Sequence, residues 1–184
     1  MGISSRLPSR QQSIQVFGII VLMVYSWTIL WFLWRLPTWL IFLTAWEILG
    51  VLSFSLVTAL IDSLVILCLL MILAVCLPKG WLLESFVGRG GALAATAIAY
   101  MMFVDMNFKH EMLFPELPVK AWLLALPILT VALIPYATGR IPLLRKAVEA
   151  FADRATIFVY LMLPLSGLSI VVLVVRLLIP VLRA

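Results

Sequence analysis

Two carboxylates, Glu47 and Asp62, stand inside the most apolar stretch of this chain, "WEILGVLSFSLVTALIDS" (residues 46–63). A carboxylate in apolar surroundings can move a proton, hold a cation or bind another helix, and each use demands its own spacing. On one α-helix, at about 100° and 1.5 Å per residue, Ser55, Thr58 and Asp62 fall about 80°, 20° and 60° from Glu47. Glu47, Ser55, Thr58 and Asp62 thus form a polar stripe, with leucines, valines and isoleucines around the rest. The carboxylates lie about 22 Å apart along the axis, too far to act as a catalytic pair or to share an ion. An ionised Asp62 near a bilayer middle costs roughly 2.5–3.5 kcal/mol, so it needs a partner, a proton or water. The stripe is expected to face protein or a cavity. Its first reading is hydrogen-bonding glue, between this chain's own helices or toward another subunit. The second is a proton or cation path, and the third a lipid-headgroup or small-substrate site.

The second cluster follows an apolar run: Asp105, Asn107, Lys109, His110, Glu111 and Glu116. A metal site from His110 with the carboxylates is conceivable, but His110 is the chain's one histidine, and without a second imidazole or a thiolate the ligand set is weak. The cluster therefore reads as a polar outer loop, and no metal or other cofactor is expected. A haem held by two histidines would need a second chain. No nucleophile elbow, zinc-binding H-E-x-x-H or phosphate-cradling glycine loop occurs. "SGLS" (residues 166–169) reads as a packing notch, since no base accompanies the serines. Chemistry by this chain alone is not expected.

Gly91, Ala95 and Ala99 form a small-residue series that lets another helix approach closely. Cys68 and Cys76 sit in one apolar run and read as packing or lipid-facing groups rather than a disulfide.

Composition decides what kind of element must carry these residues. The chain has 184 residues, 65% hydrophobic and 11% charged, against about 25% charged in soluble domains. Several runs approach the roughly 20 apolar residues that cross a bilayer. The expectation is an all-α, polytopic transmembrane bundle forming a single integral membrane domain. Spans are read at about 16–34, 47–77, 90–108, 121–138 and 155–175, with interfacial segments at about 37–46 and 140–154. The run from 39 to 77 lacks a central turn signal, which favours one tilted helix over a hairpin. "RLPT" (residues 35–38) is expected to end the first span, and Trp27, Trp31 and Trp34 share one face near its end. Residues 16–34 exceed a signal-peptide core and lack a cleavage pattern, so they read as a retained signal anchor.

Basic residues set the orientation. With five spans and the amino terminus inside, Arg6, Arg10, Lys79, Arg89, Arg140, Arg145, Lys146 and Arg154 are cytoplasmic. Arg35, Lys109, Lys120, Arg176 and Arg183 then lie outside. The net charge of +5 belongs to these flanks and to anionic lipid, not to nucleic acid. The leading functional reading is a non-catalytic subunit or scaffold of a larger membrane assembly, in a bacterial plasma membrane. Its partners would be the lipid bilayer and other membrane subunits or further copies of itself. The alternatives are a small proton- or ion-coupled transporter or channel using Asp62, and a membrane anchor for a separately encoded extracytoplasmic transferase.

Overall fold

A computed structural model of the chain describes residues 8–77, 82, 85–107, 125, 129, 133–134 and 136–182. Four long helices dominate: α1 (Arg10–Phe42), α2 (Ala45–Cys76), α3 (Phe86–Asn107) and α4 (Pro142–Leu182). The fold is all-α, and each of the four is long and apolar enough to cross a membrane. The expected span at 121–138 falls largely outside the described residues.

Local sequence explains the helix starts. Ser9 and Gln12 form a capping box at α1, and Thr44 and Glu47 form another at α2. In each, the hydroxyl takes up an otherwise unpaired amide and the longer side chain reaches back to the cap amide. Only Leu43 and Thr44 separate α1 from α2, so the two helices are tightly hinged.

Two expected breaks do not occur. α1 passes through Pro37 to Phe42, so "RLPT" does not end it and residues 37–42 are not a separate segment. Proline removes one helical hydrogen bond, a loss that long apolar helices tolerate. Residues 142–154 likewise do not form a separate interfacial helix but are the first third of α4. Pro142 sits at the helix start, where it fits, and no Gly or Pro interrupts residues 143–163. Residues 45–76 form one helix, as their lack of central turn residues predicts.

Packing fixes the directions. Val16 and Ile20 of α1 join Leu70 and Ala74 of α2 with Phe86, Leu93, Ala94 and Ile98 of α3. Ile19 meets Val87, Ala152 and Ala155, while Tyr25 joins Leu56, Ala59 and Val159 further along. Hence α1, α3 and α4 run parallel and α2 antiparallel. Arg10 and the C-terminal turn of α4 lie at opposite ends of the bundle.

Apolar burial does not drive helix association in lipid, so close contact must, and small residues permit it. At Gly18 an added Cβ would lie 2.9 Å from both the Ala155 carbonyl carbon and the Thr156 nitrogen. The backbones of α1 and α4 thus touch there.

Candidate functional site: an outward carboxylate and an aromatic cleft

The four stripe residues of α2 divide among three environments. Glu47 serves its own helix: its Oε2 accepts from the Thr44 amide and the Thr44 hydroxyl, both at 2.8 Å. Ser55 is half-buried, donates to the Val51 carbonyl at 2.9 Å and lines a cleft toward α1 and α3. Thr58 and Asp62 are exposed. The Thr58 hydroxyl donates back to the Phe54 carbonyl at 3.0 Å. Asp62 makes no hydrogen bond or ion pair with any described residue.

The reason is visible on the helix. Gly50, Ser53, Leu56, Ala59, Ser63, Leu70 and Ala74 are buried, and at about 100° per residue their arc is centred opposite the stripe. Small residues face the bundle because neighbouring helices come close there. Gly50 lies directly beneath Arg176 of α4, whose Nη1 would collide with any added Cβ. Around Asp62 the exposed surface is Phe54, Ile61, Val65 and Leu69. A carboxylate about midway along a 32-residue helix therefore projects from this chain amid large apolar groups.

The cleft is the second feature. Its volume is about 340 Å³, and it is lined by Trp27, Thr28, Trp31, Phe32, Arg35 and Trp39 of α1, Ser55 of α2 and Asp105 of α3. Trp27 and Trp31 meet edge to face, with centroids 5.9 Å apart at 78°. Phe32 and Trp39 pack at 5.5 Å. The Arg35 guanidinium carbon lies 5.5 Å from the Trp31 ring centroid. The expected tryptophan face thus divides, since Trp34 is exposed while Trp27 and Trp31 line the cleft.

Of the outer cluster, Asp105 is in this cleft, Asn107 ends α3, and His110 and Glu111 fall outside the described residues. No group of three His, Cys, Asp or Glu residues that could hold a metal occurs among the described residues. Cys68 and Cys76 are free and exposed on α2.

The small face of α3 is graded: Gly91 is buried, Ala95 half-buried and Ala99 exposed. A Cβ at Gly91 would approach Ile19 Cδ1 to 2.8 Å. Ala95 packs against the cluster that Ile19, Val87, Ala152 and Ala155 form. Ala95→Leu should overfill that space and cost about 1–3 kcal/mol, read as earlier heat-induced unfolding in detergent. Ala99→Leu should leave unfolding unchanged; equal behaviour of the two variants would contradict the packing described.

One buried polar contact had no signal in the sequence. The Tyr25 and Ser166 hydroxyls meet at 2.5 Å, and Ser166 also donates to the Leu56 carbonyl at 3.5 Å. Three helices meet at this point. Ser169 is buried and donates to the Leu165 carbonyl at 2.9 Å. Ser166 thus ties α4 to α1 and α2, Ser169 bonds within its own helix, and neither has a base beside it among the described hydrogen bonds.

No protein-family model matches the chain, and no curated protein or solved structure matches it.

Proposed function

We propose that this chain is a non-catalytic subunit or scaffold of a larger membrane assembly, joined to its neighbour through the outer face of α2. The observation that carries the reading is Asp62, exposed beside Thr58 and bordered by Phe54, Ile61, Val65 and Leu69. Lipid tails offer an intramembrane carboxylate neither hydrogen bonds nor charge, whereas a facing helix offers both. The setting is a bacterial plasma membrane, with the amino terminus inside and the carboxyl terminus outside.

Gentle extraction followed by mass spectrometry of the intact particle tests the reading. The expected result is a stoichiometric complex, either with a second kind of membrane chain or with further copies. A lone chain that moves protons across vesicle membranes would replace the reading with a transporter acting through Asp62. A partner that proves to be an extracytoplasmic transferase would make the chain its anchor.

The orientation has its own test. A reporter fused after Ala184 should be active on the extracytoplasmic side, because Arg10 and the end of α4 lie at opposite ends of the bundle. Cytoplasmic activity would refute it.

A further inference from the structure

We infer that the aromatic cleft between α1, α2 and α3 binds a phosphate–ammonium zwitterion, supplied by the headgroup of a phospholipid. The inference rests on two opposite charges that share the cleft without meeting. Arg35 and Asp105 both line it, yet they form no ion pair with each other or with any other described residue. A ligand carrying both charges would satisfy both groups at once.

Each wall suits one half of such a ligand. Arg35 is held beside Trp31 by a cation–π contact, which leaves its planar fork of N–H donors for two phosphate oxygens. Trp31 Nε1 is also buried without an acceptor among the described residues. For the ammonium, Trp27, whose ring meets Trp31 edge to face, lines the same cleft as Asp105. Aromatic faces attract quaternary and primary ammonium groups, and the Asp105 carboxylate adds the opposite charge.

Size and depth favour a headgroup as the source. A volume of about 340 Å³ is at the small end of ligand pockets, which run roughly 300–1,000 Å³. It holds a headgroup and leaves acyl chains in the bilayer. With 33 residues, α1 is about 50 Å long against a hydrocarbon core of about 30 Å. Arg35 and Trp39, near its C-terminal end, therefore stand at headgroup depth, where tryptophan is favoured. This inference is independent of the Asp62 interface and survives if that reading fails.

The test is native mass spectrometry of the detergent-solubilised chain titrated with phosphatidylcholine, phosphatidylglycerol or soluble phosphocholine. The two lipids share a phosphate and differ in the cation. The parent should retain phosphatidylcholine at least about tenfold more strongly, the effect of one charge-assisted contact. Arg35→Gln should weaken both lipids, while Asp105→Asn should lower phosphatidylcholine to the level of phosphatidylglycerol. Arg10→Gln, at the opposite end of α1, should change neither. Unfolding temperatures establish that each variant is folded, and Arg35→Lys, keeping charge without the fork, serves if Arg35→Gln is not. Equal retention of the two lipids by the parent would overturn the site and leave ordinary surrounding lipid. So would undiminished retention of both lipids by a folded Arg35 variant, or unchanged discrimination in a folded Asp105 variant. Phosphocholine binding as tightly as the lipid would overturn the headgroup source.

Discussion

Gly18→Val should give a chain that unfolds markedly earlier in detergent than the parent, or one that fails to accumulate in the membrane. The Cβ position at Gly18 lies 2.9 Å from backbone atoms of Ala155 and Thr156. Those atoms cannot rotate away as a side-chain tip can, so α4 must move off α1. The parting would loosen Ile19 from Ala152 and Ala155 and strain the Tyr25–Ser166 contact further along the same pair of helices. Overfilling of this kind costs about 1–3 kcal/mol, and contact with backbone places the change at the upper end. Gly167→Val is the matched control, because nothing lies within 4 Å of its Cβ position. It carries the same change in helix propensity and should shift unfolding little. Equal behaviour at positions 18 and 167 would contradict the backbone contact between α1 and α4.

Asp62→Leu should separate this chain from its partner while leaving the chain itself as stable as before. No described residue pairs with Asp62, so removing it breaks no contact among the described residues. A leucine there would join Ile61 and Val65 as another apolar group. Across the proposed interface the effect would differ, because a partner's donor or cation would lose its acceptor. Hydrogen bonds between membrane helices are worth about 0.6–2 kcal/mol, roughly a threefold to thirtyfold weaker association. Asp62→Asn keeps the shape and an acceptor oxygen and should preserve the assembly. If the partner instead presents a buried cation, Asp62→Asn should weaken the complex about as much as Asp62→Leu. Neither the parent nor the asparagine variant should move protons across vesicle membranes. Measurable flux in the parent that Asp62→Asn abolishes would establish a proton site and overturn the subunit reading.

What the sequence disclosed follows from the range of the forces involved. Helix starts are local: Ser9 with Gln12 and Thr44 with Glu47 lie three residues apart. That short range also explains Glu47, which caps its helix whatever the stripe does. The apolar length of α2 and its single helix were legible for the same reason. The passage of α1 through Pro37 was not, because proline's effect depends on what surrounds the freed carbonyl. Nor could periodicity tell which side of α2 faces inward. The stripe was expected to find protein or a cavity, and the small residues opposite it decide that α2 turns that side inward. Asp105 and the tryptophans were each visible, but nothing in the spacing of residues 27–39 and 105 brings them to one cleft. Tyr25 with Ser166, and Gly18 with Ala155, are likewise contacts across more than a hundred residues.

The most direct test of the central claim is photo-crosslinking from the face that bears Asp62. A photoreactive residue at Val65, exposed and about one helical turn from Asp62, would be irradiated in native membranes. The control position is Leu168, exposed on α4. The account predicts one discrete protein adduct from position 65, lost in Asp62→Leu, and none of matching yield from position 168. Lipid adducts alone at both positions would show that Asp62 faces the bilayer, and that this chain has no neighbour there.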